Sequence, residues 1–408
     1  MGKNLKDRLA RIKSSGSAKP TQQHSPASQG SSASQSSPAQ PTSPQAIPAT
    51  QAHLASPTAS FGPEWSSSGY NVLVRQVKIE LPLAVPKIFC DSIKVIIRDI
   101  NKYGKTPKPQ DLLFFDLETT GLSGGAGTLA FLASFGRFLS AGKTGGIILS
   151  INQYLLLDYP GESDFLEKAR EELLKTGSHS SPQLIVSYNG KAFDSQIIKN
   201  RFLMNGIKAP DYFHADLLYP ARKLWKRILP NCSQATVETL IPGLDREGDI
   251  PGAMAPDIWF SFLKSGNTKE LMGICEHNIL DIKGLACIIL LMDRIAEAPL
   301  KTFKKISFDI ENLALEWHNA VTRRRIIIDN MLNIQAMVKE LLETAAHLKM
   351  PRALLLLAKD AEWKECDCKK ALAYTESCLA VPGLNENLIL DLERRRERLL
   401  RKLKVILK

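Results

Sequence analysis

Residues 112–122 read LLFFDLETTGL. Four apolar residues run without a break into Asp116, and Glu118 follows two positions later. A short continuous apolar run of this kind reads as a strand buried on both faces, which needs covering layers above and below it. The same strand has to deliver two carboxylates at its end. Side chains at i and i+2 of a strand share a face, so Asp116 and Glu118 converge on one spot. Burying charge is costly unless it is paired. A metal ion offsets that cost, and so do hydrogen bonds from neighbouring backbone; this stretch alone is compatible with both.

The flanking sequence supplies the layers. YNVLVRQVKIEL (70–81), TLAFLASFGRF (128–138) and GIILSINQYLL (146–156) read as further strands. SDFLEKAREELLK (163–175) has helical periodicity, QLIVSYN (183–189) is another buried strand ending in polar residues, and KAFDSQIIKNRFLMNG (191–206) is a helix closed by Gly206. Short helices follow to about residue 265. Antiparallel strands first, then strands alternating with helices, give an α/β fold with a mixed sheet flanked by helices. After about residue 300 strand signals stop, and helices are expected near 309–320, 330–348, 351–362, 368–380 and 386–406. The last of these contains LERRRERLLRKLKVILK, a basic amphipathic helix. Order is expected to begin near Gly69. Ahead of it, residues 14–60 are Ser, Pro, Gln and Ala with almost no large apolar side chain, a composition that cannot offset its ordering entropy. LKDRLARIK before that stretch has Leu5, Leu9 and Ile12 at helical spacing. The expected organisation is therefore a disordered basic tail (1–65), an α/β domain (66–298) and an all-α region (299–408).

Composition narrows the function classes. The net charge of +11 suits a polyanionic partner. Seven cysteines and no secretory signal point to a reducing compartment and a cytoplasmic protein. Cys366 and Cys368 lack the spacing and the second ligand pair of a zinc site and read as free thiols. No apolar run reaches the length of a membrane span. SGGAG after the acid pair is followed by no GK[ST], so it reads as a turn between strands and not as a phosphate loop.

Two more acids stand at an element end or on a helix face. Asp194 falls in the first turn of the helix after the QLIVSYN strand, and Asp281 follows His277 by four residues in EHNILDI. The helix that carries His277 and Asp281 is expected to begin at Asn267, with Glu270 completing a capping box. Gly273, His277, Asp281 and Gly284 then fall on one stripe, with Ile274, Ile279, Leu280, Leu285 and Ile288 facing the core. Either something approaches the helix at its two glycines or they permit tight packing on the sheet. Four acids, each at an element end or on a helix face, look like a site for a hard divalent cation.

FFDLETTGL, YNGKAFD and HNILD, in this order, resemble the three exonuclease motifs of the DEDD (DnaQ-like) superfamily, which has a ribonuclease-H-like fold. TGLSGGAGTLAFLASFGRF, HADLLYPARKLWKRILPNCSQATVETL, DREGDIPGAMAPDIW and CEHNILDI are similar to the bacterial YprB-like ribonuclease-H-like proteins, over roughly residues 70–295. That branch tends to carry tetratricopeptide-like helices after the nuclease domain, and ALLLLAKDAEW with KKALAYTESCLAVPG resembles one such pair. Arrays normally need about three repeats to stand alone, so helical hairpins docked on the nuclease domain are expected, with a surface open to a protein partner.

The resemblance implies a metal-dependent 3′→5′ exonuclease. Asp116, Glu118, Asp194 and Asp281 would bind two divalent cations, Mg²⁺ or Mn²⁺, and His277 would be the general base. The substrate would be DNA or RNA, as single-stranded 3′ ends. Tyr188 and Asn189, at the end of their strand, and Arg246 in DREGDIPG are substrate-contact candidates, and Arg246 also stands where it can pair with Asp249. Asp216 reads as a cap and His214 as a packed histidine. His277 precedes Asp281 by four residues, whereas the superfamily's histidine class has five; both still share a helix face. Two other functions compete: a non-catalytic nucleic-acid-binding module with this fold, and an interaction scaffold built on the C-terminal helices. The complete acid set favours the exonuclease.

Overall fold

A computed structural model of the chain describes residues 60–121, 127–140, 147–177, 182–246, 248–323 and 331–406. The N-terminal tail to residue 59, with LKDRLARIK, and most of the SGGAG turn lie outside these residues.

Seven strands form one sheet: β1 Ser66–Gly69, β2 Val72–Ile79, β3 Leu112–Thr119, β4 Ala130–Ser140, β5 Ile147–Leu156, β6 Leu184–Ser187 and β7 Phe213–Asp216. Their order is β1-β2-β5-β4-β3-β6-β7. The pairs from β1 through β5, β4 and β3 are antiparallel, while β3–β6 and β6–β7 are parallel. The sheet is mixed, as the order of sequence signals predicts. Central strand β3 is covered on both sides. Phe114 packs edge-on against Phe138 in one core, and Phe115 stacks on Phe135 in the other.

Besides two single-turn helices at Ile93–Ile96 and Ile100–Tyr103, the helices of the α/β part among the described residues are α1 Glu162–Leu174, α2 Asp194–Met204, α3 Leu218–Trp225, α4 Gln234–Leu240, α5 Ala255–Ser265 and the 29-residue α6 Lys269–Glu297. Gly136 of β4 lets α6 lie close to the sheet, since a β-carbon there would stand 2.5 Å from Ile282 Cγ2. α6 begins two residues later than expected. Asn267 Oδ1 accepts from Lys269 N at 3.0 Å, and Thr268, the residue before the helix, spends its hydroxyl on Ser60 O at 3.0 Å. The expected capping box at Asn267 therefore does not form.

After the short helix Pro299–Phe303, five longer helices follow among the described residues: α7 Ile310–Thr322, α8 Met331–His347, α9 Pro351–Trp363, α10 Cys368–Leu379 and α11 Glu386–Ile406. They match the expected segments to within a few residues. α7 and α8 do not form a separate core. Ile310, Leu313, Trp317, Ile334 and Leu341 belong to the same buried cluster as Phe114, Trp225 and Ile288. The main chain adds to this joint, with Asp309 N donating to Leu224 O at 2.8 Å. α9, α10 and α11 close around a small core of Leu354, Cys378 and Leu392. The basic helix α11 turns part of its charge inward: Arg395, Arg398 and Lys402 all engage the buried Glu362.

Two boundaries shift from expectation. Phe61 and Trp65 are buried in the second core, so packed structure starts before Gly69 and inside the stretch assigned to the tail. β1, whose sequence is SSSG, was invisible as a strand because nothing in it alternates. Among the described residues no helix is long and apolar enough to cross a membrane.

Candidate functional site

β3, the turn from β6 into α2, and the middle of α6 meet at one place. β3 brings Asp116 and Glu118, aligned with Ser134 and Leu132 of β4. β6 ends at Ser187, and the chain turns through Tyr188 and Asn189 into α2, whose first residue is Asp194. Asn189 takes a left-handed backbone (φ 64°), held by its N–H on Asp216 Oδ1 at 2.8 Å. Gly190 fits because a β-carbon there would overlap Ser187 Oγ and stand 2.9 Å from Asp194 Oδ2. α6 contributes His277 and Asp281, one turn apart, with Nε2 and Oδ2 separated by 3.3 Å.

Asp116, Glu118, Asp194, His277 and Asp281 all line one cleft of about 230 Å³, together with Tyr188, Asn189, Phe193, Gly252 and Pro256. Ligand atoms of Glu118, His277 and Asp281 lie within 4.8 Å of one another. The electrostatics reflect the crowding. Burial, followed by the charges of Asp281, Asp194 and Glu118, pushes Asp116 well above the usual carboxylate range. Burial and Asp281 do the same to Glu118. Burial, with Asp216 second, raises Asp194 to about 7. Hard carboxylate oxygens beside one imidazole, with mutual repulsion still to be relieved, fit a divalent cation. The candidate ligands are Asp116, Glu118, Asp194 and Asp281.

A loop closes over this centre from the side. Asp249 Oδ1 lies 2.7 Å from His277 Nδ1. The contact orients the ring, with Nδ1 toward Asp249 and Nε2 toward Asp281 Oδ2 at the cleft. Gly252 sits against the same ring: a β-carbon there would be 2.9 Å from Nε2. Arg246 joins the acids, touching Asp281, Asp249 at 3.3 Å and Glu238 at 3.1 Å. Burial opposes its charge, but Asp281 and Glu238 outweigh this and hold it above its ordinary value. Glu238 itself is raised by burial to about 8.

The two glycines of α6 now have an explanation. Ile250 of the loop presses on Gly273, and the Glu238 carboxylate fills the space above Gly284. The close approach comes from the loop and α4, and neither contact is with the sheet. Of the expected core side chains on α6, Leu280 is half-buried and the others are buried.

The substrate-contact candidates separate. Tyr188 and Asn189 line the cleft, although the Tyr188 hydroxyl is spent on Cys232 O at 2.7 Å. Arg246 is turned into the acid cluster and does not line the cleft. Its pairing with Asp249 is present. Asp216 is a fully buried brace whose carboxylate takes the N–H groups of Asn189, Lys191 and Leu218. His214 lies between Ser187 Oγ and Ser195 Oγ, and burial lowers it to about 4, so it is neutral. Three participants escaped the sequence reading: Glu238, Asn278, which donates to Asp116 Oδ2 at 2.6 Å, and Asp249 as the partner of His277. Asn278 adjoins His277 in the quoted motif, which was its available signal; Glu238 had none.

Comparison with known proteins agrees with this architecture. Residues 113–295 match the family RNase_H_2 of the RNase_H superfamily. A Bacillus subtilis (strain 168) protein described as "Uncharacterized protein YprB" is 35% identical over 187 residues. The match covers 45% of this chain and 42% of that protein, so the chain spans less than half the length of this relative.

Proposed function

We propose that this chain, whose residues 113–295 form a ribonuclease-H-like, YprB-like domain, is a metal-dependent nuclease that removes nucleotides from the 3′ end of a nucleic acid. The observation that carries the reading is the convergence of Asp116, Glu118, Asp194, Asp281 and His277 on one cleft.

Asp116, Glu118, Asp194 and Asp281 would hold two divalent cations, Mg²⁺ or Mn²⁺, which when bound supply Lewis acidity to the phosphodiester and to the attacking water. The protein's own residues do the rest. His277 Nε2 accepts the proton of the attacking water. Asp249, hydrogen-bonded to Nδ1, fixes the tautomer and stabilises the imidazolium that results. Arg246 holds Asp249 and Asp281 in register, with Glu238 behind it. The Tyr188 ring and the Asn189 side chain border the space for the terminal nucleotide. The products are a nucleoside monophosphate and a strand shortened by one.

One observation favours a second reading. Arg246 already places a positive charge on Asp281, which is what a non-catalytic, nucleic-acid-binding version of the fold would do. The experiment is to incubate 5′-labelled single-stranded DNA and RNA with the protein and Mg²⁺, Mn²⁺ or chelator, beside Asp116→Asn. A ladder receding from the 3′ end that needs metal and is absent in the variant supports the nuclease. Intact strands with retained binding would establish the binding module instead.

A further inference from the structure

Helix α3 is attached to the cleft at both ends. It starts two residues after Asp216, whose carboxylate holds the amides of Asn189 and Lys191 at the cleft rim. The chain beyond α3 returns to the same wall, where Cys232 O accepts the hydroxyl of Tyr188. Leu218, Ala221, Leu224 and Trp225 form the buried face of α3. Tyr219, Arg222 and Lys226 lie on the opposite side at i, i+3 and i+7, and all three are exposed, Tyr219 at 52%.

The charges on this helix are not equivalent. Lys223 is committed to Glu316 at 2.9 Å, and Arg227 to Glu311 at 3.0 Å and Asp309 at 3.2 Å. Among the described residues Arg222 and Lys226 have no acidic partner. The most basic-looking segment, α11, spends Arg395, Arg398 and Lys402 on Glu362. Helix α11 still leaves Arg394, Arg401 and Lys404 exposed; what sets Arg222 and Lys226 apart is their place beside the cleft, next to the segments that Asp216 and Tyr188 anchor. Arg222 also acts electrostatically on both Tyr188 and Cys232.

We infer that Tyr219, Arg222 and Lys226 form the track on which a single-stranded nucleic acid lies as its 3′ end enters the cleft. The inference rests on the nuclease reading for its direction. It commits to a nucleic acid because two cations about one helical turn (~5.4 Å) apart can follow successive phosphates, while an exposed aromatic ring beside them offers a face to a base. An acidic peptide would use the cations but not the ring.

The test measures binding of a fluorescent 15-nucleotide single strand in chelator, across a salt titration, for the full chain and Arg222→Gln/Lys226→Gln. A Lys364→Gln/Lys370→Gln variant, just past α9 and on α10, serves as a charge-matched control. The track requires the α3 variant to bind about tenfold more weakly at low salt. The slope of log K against log salt should be shallower by about 1.4, at ~0.7 per phosphate contact. The control should match the parent. Arg222→Lys/Lys226→Arg should restore the slope, and Tyr219→Ala should weaken binding at unchanged slope. Parent-like affinity and slope in the α3 variant, or an equal loss in the control, would overturn the track. Binding is read without cleavage: stripe-dependent binding with no metal-dependent cleavage would refute the nuclease reading and leave the track standing.

Discussion

The Glu238 carboxylate occupies the space that Gly284 leaves on α6, so closely that a β-carbon at 284 would overlap it. Gly→Ala inside a helix ordinarily stabilises by roughly 0.5–1 kcal/mol. Here the sign reverses. Gly284→Ala is expected to destabilise by about 1–3 kcal/mol through overpacking and to loosen Arg246 with Glu238. Urea denaturation checks it; a stabilised variant would show that the α4–α6 contact yields easily.

In the proposed nuclease, His277 transfers a proton and stands apart from the four candidate carboxylate ligands. His277→Gln is expected to lower kcat by about 10²–10⁴ while keeping the rise in Tm on adding Mn²⁺. Loss of that rise would make the imidazole a ligand.

In the proposed mechanism Asp249 acts through His277, whose Nδ1 lies 2.7 Å from its carboxylate. Asp249→Ala is expected to lower kcat about 10–100-fold with KM nearly unchanged, and Asp249→Glu to recover part of the loss. A change confined to KM would place Asp249 in substrate binding.

The raised carboxylates give the metal-free protein a characteristic pH response. Asp194 and Glu238 are held up at about 7 and about 8, mainly by burial. As pH rises above ~4, the unfolded chain ionises these groups first and is favoured. Their contribution to stability is fully present below ~4 and declines until pH passes their folded values. Tm in chelator should therefore fall between pH 5 and pH 8, and saturating Mn²⁺ should reverse the fall at pH 8 more than at pH 5. Glu172 works in the opposite direction. Burial opposes its charge, but Arg137, Lys175, Asn152 and Tyr154 outweigh burial and hold it at about 2. Its contribution is present above ~4.5 and lost as pH falls through 2.

Trp317 of α7 is fully buried in the core that also contains Trp225 and Ile288. Trp317→Ala is expected to cost about 3–5 kcal/mol and to lower the melting of the α/β part in step with the helices. Hydrogen exchange of β3 and α8 in the variant is the readout; slow exchange retained in β3 alone would mean the two parts are independent.

The order of strands and helices was legible because hydrophobic period and length separate them cleanly here, most clearly in LLFFDLET and QLIVSYN. β1 was not, because SSSG belongs to the sheet through pairing with β2 and carries no pattern of its own. The start of α6 was misplaced because Asn267 caps by a bond to Lys269, one residue short of a box with Glu270. At the site, the acids were legible because each stands at an element end or, for Asp281, on a helix face one turn from a histidine. Glu238 was hidden because its position depends on a glycine 46 residues away and on an arginine in an intervening loop. The Tyr188 hydroxyl looked available in the sequence and is occupied by Cys232 O.

The buried cluster shared by β3, α6, α7 and α8 limits how such a protein can be rearranged. A joint whose two sides each leave apolar surface bare when parted is a poor place for recombination. Exchange of the helical region between relatives would require the facing side chains of Trp225, Ile288 and Trp317 to change together. α9 to α11, which meet the rest through a smaller set of contacts around their own core, are the portion that evolution can lengthen, trim or retune with the least consequence for the acid cluster.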